Sequence, residues 1–275
     1  MKSSVWSSYY YFYTPEDALR EFKAHGFNYC ELSCEHSEVL LERGEPEVVG
    51  AEFKRVAKEI GIEVLQGHLF FYGKRIGVKE DREAIKKQLD LFLAIGIKNA
   101  VLHCDPFANE KGEKAPIDIA REGNKEAISD LLDHIKGKDI VICLENLITS
   151  PAVNNIDGLM YFIDHFKSEN LGICLDTGHL NINDRDQVAF IRKGSKHIKA
   201  LHLADNEGTS DQHMMPYGKG NVDFVSVIKE MKRLGYEGLY NLEIPGESQG
   251  PYEIRGYKLD YLKKLMEYLD RESDK

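Results

Sequence analysis

The sequence predicts a (β/α)8 barrel that forms a single domain over residues 1–275. Short apolar runs alternate with amphipathic helical patterns along the chain, and no low-complexity linker separates them. Eight strand–helix units follow one another in this way, which is the number that closes a parallel barrel. A doubly wound open sheet is the alternative, but no glycine-rich dinucleotide motif follows any of the strands. An α/β barrel is therefore the preferred fold class.

The predicted strands are short apolar runs of the kind that parallel sheets bury. They span residues 4–8, 29–33, 62–68, 99–103, 140–145, 172–176, 198–202 and 239–243. The first helix begins after Thr14, has Pro15 in its first turn and ends at Gly26. The other helices are predicted from apolar residues at helical spacing. They span 48–60, 81–95, 117–135, 157–166, 186–192, 224–234 and 257–269.

Composition limits the classes of function. The formal net charge of −10 at pH 7 argues against general nucleic-acid binding, because phosphate neutralisation needs a basic surface. No apolar run is long enough to cross a membrane, and the N-terminus lacks the apolar core of a signal peptide. The five cysteines are odd in number and mostly lie in predicted strands, so we expect reduced core thiols in a cytoplasmic protein. The oligomeric state stays open, homo-oligomers included.

Ionisable side chains end six consecutive predicted strands, from the third to the eighth. They are His68, His103, Glu145, Asp176, His202 and Glu243. In a parallel barrel these strand ends meet at one face, where active sites are built. The two-residue period of a strand also puts Cys143, Cys174, Ala200 and Asn241 directly beneath four of them. The sequence therefore predicts a ring of ionisable groups above a layer of small or uncharged side chains.

A divalent cation is the simplest way to hold these groups together. The segment Asp176-Thr-Gly-His179 taken alone is more typical of a helix cap with a histidine packed on it, but the pattern recurs around the ring. Three carboxylates brought together away from water need a counter-charge or shifted pKa values. Two glutamates, one aspartate and one histidine suit Mn²⁺, Zn²⁺, Co²⁺ or Mg²⁺, and the histidine disfavours Ca²⁺.

Five segments around these residues carry a resemblance to a known family. They are Leu144-Glu-Asn-Leu147, Leu175-Asp-Thr-Gly-His179, Leu201-His-Leu-Ala-Asp-Asn206, Asp211-Gln-His-Met-Met-Pro-Tyr-Gly-Lys-Gly220 and Leu242-Glu243. With them the chain resembles, over essentially its whole length, the xylose isomerase-like TIM-barrel superfamily. That superfamily holds sugar and sugar-phosphate isomerases and epimerases together with the endonuclease-IV-type AP endonucleases. The resemblance implies metal ligands at Glu145, Asp176, His202 and Glu243.

The resemblance also implies a mechanism. Epimerases of this superfamily use two metal-bound glutamates as acid and base on opposite faces of a ketose, while the metal stabilises a cis-enediolate. Carried over, Glu145 and Glu243 would exchange a proton on a ketose, sugar phosphate or related polyol. Inverting a stereocentre does need a second acid on the opposite face, and a Lewis acid stabilises the developing oxyanion.

The AP endonucleases of the same superfamily give the main alternative, phosphodiester hydrolysis of abasic DNA. Their trinuclear zinc site maps onto matching residue types at His68, His103, Glu145, Asp176, His179, His202, Asp211, His213 and Glu243. Two features weigh against it: His202 is followed by Leu-Ala-Asp-Asn-Glu-Gly rather than the Asn-Asp-Ser-Lys run typical of those nucleases, and the chain is acidic. A metal-dependent sugar dehydratase or lyase and a non-catalytic binding barrel also stay open.

Further candidates belong to the same mouth of the barrel. Substrate binding is expected at His68, His103, His179, Trp6 and Glu35, and the candidates for a second metal site are His179, Asp211 and His213. Aromatic residues at 9–13 and 70–72 follow the first and third strands, and aromatic rings stack on the apolar faces of sugars. Together these residues predict a small-molecule sugar substrate.

Overall fold

Eight parallel strands pair in sequence order, and the last pairs with the first, so the sheet closes into a barrel. The strands are β1 (Lys2–Trp6), β2 (Tyr29–Leu32), β3 (Glu63–His68), β4 (Asn99–Leu102), β5 (Val141–Glu145), β6 (Leu171–Asp176), β7 (Ile198–Leu203) and β8 (Leu239–Leu242). This computed structural model describes residues 1–108, 112–246 and 250–275. The predicted barrel is confirmed, and the bounds of each predicted strand lie within two residues of those observed.

Ten α-helices accompany the strands in the described ranges. They are α1 (Pro15–Ala24), α2 (Cys34–Leu41), α3 (Pro46–Ile60), α4 (Lys79–Ile95), α5 (Ile117–His134), α6 (Ile156–Phe166), α7 (Thr177–Asn183), α8 (Gln187–Gly194), α9 (Phe224–Arg233) and α10 (Tyr252–Glu272). Thr14 caps α1 as predicted, because its Oγ1 accepts a hydrogen bond from the Asp17 amide. None of these helices is long and apolar enough to span a membrane.

Two short helices, α2 and α7, are not predicted from the sequence. Each begins directly after a strand with a side-chain cap. Ser33 Oγ accepts from the amide of His36 at 3.2 Å, and an Asp176 carboxylate oxygen accepts from the amide of His179 at 2.6 Å. Caps of this kind satisfy amides that the first helical turn leaves unpaired. The two helices fix the direction of the chain as it leaves β2 and β6.

Small side chains fill the barrel beneath the strand ends. Val101, Cys143, Cys174 and Ala200 form a buried cluster of their own with no exposed surface. Asn241 is equally buried and lies opposite His202 in the pairing of β7 with β8. This agrees with the strand periodicity read from the sequence, and it sets the ionisable side chains above a packed floor. All five cysteines are buried free thiols.

Candidate metal and catalytic centre

Four ionisable side chains meet at the carboxyl end of the barrel. Glu145 ends β5, Asp176 ends β6, His202 lies one residue before the end of β7, and Glu243 directly follows β8. One ligand atom of each lies within 4.8 Å of the others, and all four residues are buried. The register of β6 and β7 sets Asp176 beside His202. The fold thus brings together the four residues that the sequence suggests as metal ligands.

Three buried atoms in this group have no hydrogen-bond partner among the described residues. They are Glu145 Oε1, Asp176 Oδ2 and His202 Nδ1. His202 Nδ1 lies 3.5 Å from Glu145 Oε1 and 3.2 Å from Glu243 Oε2. An unpaired buried polar group costs about 1–3 kcal/mol, and more when it is charged. A divalent cation would satisfy all three atoms, and three carboxylates with one imidazole suit Mn²⁺, Zn²⁺, Co²⁺ or Mg²⁺, so the residues present fit such an ion.

Asp176 combines the two roles between which the sequence alone could not choose. Its Oδ1 accepts the amide hydrogen of His179 and caps α7, while its Oδ2 stays unpaired and faces the centre. Asn146, which follows β5, holds the backbone of Asp176: its Oδ1 accepts from the Asp176 amide (2.8 Å) and its Nδ2 donates to the Asp176 carbonyl (2.9 Å). The backbone that carries the carboxylate is therefore held at both its amide and its carbonyl.

Backbone carbonyls fix the rings of three histidines around the centre. The Nδ1 atoms of His68, His179 and His213 lie 2.8–2.9 Å from the carbonyl oxygens of Leu69, Asn146 and Glu243. A carbonyl only accepts, so each Nδ1 carries a proton, and when the ring is neutral the lone pair is on Nε2. This tautomer leaves Nε2 available to a metal or a substrate.

Two further groups with metal-binding character flank the central four. His179 Nε2 and His213 Nε2 both lie 3.2 Å from Asp211 carboxylate oxygens. On the other side, His103 Nε2 lies 2.9 Å and His68 Nε2 3.4 Å from Glu145 Oε2. Within each group one ligand atom per residue lies within 4.8 Å of the others. The sequence suggests His68 and His103 as substrate-binding residues. Both lie against Glu145, which is a candidate metal ligand.

The carboxylates and imidazoles perturb one another in the metal-free protein. Burial, followed by the charges of Glu145 and Glu243, raises the pKa of Asp176 to about 6. Burial opposes ionisation of Glu243 too, but the charge and hydrogen bond of His202 lower its pKa to about 2. For His213 burial is outweighed by Asp211 and Glu243, and its pKa rises to about 10. Strong perturbation of several groups in one cleft is typical of functional sites.

Glu31 is a buried carboxylate of this centre that the sequence pattern did not reveal. It lies in β2, is fully buried, and places both carboxylate oxygens 3.0–3.1 Å from His202 Nε2. Asn241 and Gln66 donate side-chain hydrogen bonds to its Oε2. The one signal in the sequence that could have revealed Glu31 is a charged residue inside a short strand of otherwise mostly apolar residues. Glu31 lies beneath the ring, one residue short of the strand end where such groups are expected.

The sequence predicts that the aromatic residues at 9–13 and 70–72 lie around the mouth of the barrel, and part of this prediction is wrong. Tyr9 and Tyr10 are core residues, because a 3-10 turn at Ser7–Tyr10 directs their rings onto Phe22 of α1. Phe70 is largely buried but lines the cavity beside the centre together with Phe71, and Tyr11, Phe12 and Tyr72 are exposed. Trp6 and Glu35 are half-buried, and Glu35 accepts a hydrogen bond from Ser8 Oγ at 2.6 Å.

A cavity of about 280 Å³ opens beside the centre, between the loops that follow β3, β4 and β5. His103 lines it, and its Nε2 lies 2.9 Å from Glu145 Oε2. Phe71, Arg75 and Thr149 also line it. The cavity has room for part of a small polar molecule whose other end reaches the centre.

Fold and site together define a closed parallel barrel with an ionisable, cation-compatible centre at the carboxyl ends of its strands. The chain belongs to the xylose isomerase-like TIM barrel family, whose model matches residues 19–271. The family resemblance identified from the sequence is thereby confirmed.

Several known proteins are similar to this chain. L-ribulose-5-phosphate 3-epimerase UlaE of Salmonella paratyphi A is 25% identical over 248 residues, which cover 84% of this chain and 82% of that protein. Protein y4fM of Sinorhizobium fredii is 24% identical over 163 residues, and the match spans about half of its length (52%) and 59% of this chain. A crystal structure of D-psicose 3-epimerase superposes with a TM-score of 0.80 at 14% identity, covering 98% of this chain and 99% of that one.

Proposed function

We propose that this protein is a divalent-metal-dependent isomerase or epimerase that acts on a ketose, a sugar phosphate or a related polyol by proton transfer. The observation that carries the proposal is the pair Glu145 and Glu243, which come from β5 and β8 and border the same group of unpartnered atoms. The similarity to UlaE, an epimerase of a ketose phosphate, supports the substrate class.

Glu145, Asp176, His202 and Glu243 would hold the cation. A cation in this position supplies a Lewis acid that stabilises negative charge on the substrate oxygens. Further cations would find the histidine–carboxylate groups of His179, Asp211 and His213 and of His68 and His103 with Glu145. These assignments of ligands are part of the proposal.

The two glutamates would move the proton. The pKa of each lies below its ordinary value in the metal-free protein, since nearby imidazoles outweigh the effect of burial, so both are ionised near neutral pH and able to accept a proton. One carboxylate would remove the hydrogen on the carbon next to the carbonyl as a proton, and the other, after taking a proton from water, would donate it to the opposite face. The first carboxylate would then release its proton to water, which restores the starting state. Return from the opposite face inverts the centre, which is epimerisation.

The first test is turnover in D2O with a panel of paired ketoses and ketose phosphates. We expect one substrate to give its epimer or aldose isomer with solvent deuterium at the reacting carbon, because a carboxylate proton exchanges with water between transfers. Mass spectrometry and NMR of the products measure this. A sample treated with chelator is the control and should be inactive until a divalent metal is restored. Product without deuterium would instead indicate a hydride shift.

A phosphodiester hydrolase acting on abasic DNA is the second candidate. The observation that favours it is the presence of three adjoining groups of candidate ligands, which together include all nine residues that the resemblance to the AP endonucleases maps. An abasic duplex incubated beside the ketose panel tests it. Strand cleavage with no exchange on any ketose would favour the hydrolase, and loss of water from a sugar in the same spectra would favour a dehydratase or lyase.

Metal binding should release protons and weaken at acidic pH. Metal ligands must be deprotonated, whereas burial and neighbouring carboxylates raise the pKa of Asp176 to about 6. Burial opposes protonation of His202, but the surrounding negative charges raise its pKa well above its usual value. Affinity for Zn²⁺ should therefore fall by about tenfold per pH unit for each proton that binding displaces. Competition with a chromophoric chelator between pH 5 and about 8 measures this, and an affinity that does not change with pH would contradict it.

A further inference from the structure

The ring of His202 is held by a side chain, whereas backbone carbonyls hold the rings of three other histidines around the centre. His68, His179 and His213 each donate Nδ1–H to a backbone carbonyl, while their Nε2 atoms face the carboxylates of Glu145 (His68) and Asp211 (His179 and His213). His202 has no such backbone contact at Nδ1: its unpartnered Nδ1 faces the centre, and its Nε2 faces a side chain, the carboxylate of Glu31. The contact joins residues 171 positions apart in sequence. The orientation of this candidate ligand thus depends on one replaceable side chain.

The carboxylate of Glu31 is itself fixed by a chain of buried side chains. Ser4 Oγ donates to Asn241 Oδ1 at 2.9 Å, which turns the amino group of Asn241 toward Glu31 Oε2 at 2.7 Å. Gln66 also donates to Oε2. Two amide donors therefore occupy Oε2, and His202 Nε2 lies 3.0 Å from Oε2 and 3.1 Å from Oε1. A carboxylate only accepts, so the partner that suits these oxygens is a proton on His202 Nε2.

We propose that Glu31 is a positioning residue that keeps the proton of His202 on Nε2 and so directs the Nδ1 lone pair to a divalent cation. The inference rests on the metal site of the proposed function. A carboxylate behind a ligating imidazole fixes its tautomer and orientation and makes it a stronger donor, and removing such a partner typically costs about 10–100-fold in metal affinity.

Packing alone does not explain why position 31 carries a buried carboxylate. Glu31 puts a fourth carboxylate beneath Glu145, Asp176 and Glu243, and all four are buried. Like charges gathered away from water destabilise one another. An uncharged glutamine could fill the same volume, so the negative charge makes physical sense when a cation lies on the far side of the His202 ring.

The Glu31→Gln variant keeps the shape of the side chain but removes its negative charge. It therefore tests whether that charge sets the tautomer of His202. Its amide oxygen would accept the bonds from Gln66 and Asn241, which turns its amino group toward His202 Nε2. An amino group beside Nε2 donates and does not accept, which favours the neutral tautomer with the proton on Nδ1, where the cation should bind. At a pH high enough to leave His202 neutral, we expect ¹⁵N-histidine spectra of the metal-free variant to show His202 Nε2 without a proton, and we expect chelator competition to show Zn²⁺ affinity lowered by about 10–100-fold. Glu63→Gln, the same change at an exposed position of β3, is the matched control and should leave both unchanged.

A measurement on the unaltered protein keeps the inference testable if the variant does not fold. After loading with ¹¹³Cd²⁺, His202 should show coupling to cadmium at Nδ1 and a proton at Nε2. Coupling at Nε2, or wild-type Zn²⁺ affinity with an unchanged tautomer in Glu31→Gln, would overturn the role of Glu31 even if the ketose assay succeeds. Tight metal binding with the expected tautomer but no turnover of any ketose would leave Glu31 in its role and remove the proposed reaction.

Discussion

Replacing Glu145 or Glu243 by glutamine should lower turnover by about 10²–10⁴-fold while changing substrate affinity much less. Glutamine keeps the size and the oxygen of the side chain but cannot take up a proton. The cost should fall on the proton-transfer step, so kcat should drop with a far smaller change in KM. Steady-state kinetics on the substrate found in the panel, with metal content measured for each variant, gives the result.

The two variants should also differ from each other. Each should lose abstraction from its own face of the substrate and retain solvent exchange at the other face, so one should wash deuterium into the substrate and the other into its epimer. Glu145 lies within 3.5 Å of His68, His103, His179 and His202, so its variant should also bind metal less tightly than the Glu243 variant. Wild-type turnover in either variant, with metal bound, would exclude that glutamate as acid or base.

The sequence was sufficient for the barrel because its signals are local. Buried parallel strands appear as short apolar runs, and the polar residue that ends each run marks the mouth of the barrel. The two-residue period places Cys143, Cys174 and Ala200 beneath the ring, where they form a buried cluster with Val101. The strand-end rule likewise gathers the four candidate ligands into one group, and their ligand atoms do lie together; they are Glu145, Asp176, His202 and Glu243. Neither inference needs the distance between residues remote in sequence.

The features that could not be predicted from the sequence depend on contacts between residues remote in sequence or on single hydrogen bonds that cap helices. Glu31 meets His202 only because closure of the barrel brings β2 and β7, with β1 and β8 between them, within reach across its interior, and no local pattern pairs them. The helix α7 has seven residues and begins inside the site motif, where its cap, Asp176, looks like a metal ligand. Tyr9 and Tyr10 look like rim residues until the turn at Ser7–Tyr10 directs them into the core.

The Asp176→Asn variant should lose the divalent metal and the activity while keeping the fold. Asparagine caps helices as well as aspartate does, so its amide oxygen can still accept the hydrogen bond from the amide of His179. The other oxygen, Oδ2, would be replaced by an amino group, which donates hydrogen bonds and does not ligate a cation. We expect metal affinity to fall by about 10²-fold or more, measured by chelator competition and metal analysis. Asp176→Ala is the comparison, because it removes the cap as well and should cost about 1 kcal/mol of stability in addition.

The Asp176→Asn change should have the opposite effect on metal-free protein, which it should stabilise against unfolding. Since burial and the charges of Glu145 and Glu243 raise the pKa of Asp176 to about 6, the folded state binds its proton more tightly than the unfolded chain does. Its ionised form therefore destabilises metal-free protein above about pH 6, and this effect fades as the pH falls toward the unfolded value of about 4. In chelator, Asp176→Asn should unfold at a higher temperature than wild type at about pH 8, with the difference shrinking toward about pH 4, whereas with Zn²⁺ present the wild type should be the more stable. A variant that holds Zn²⁺ as tightly as wild type would show that Asp176 serves α7 as a cap and nothing more.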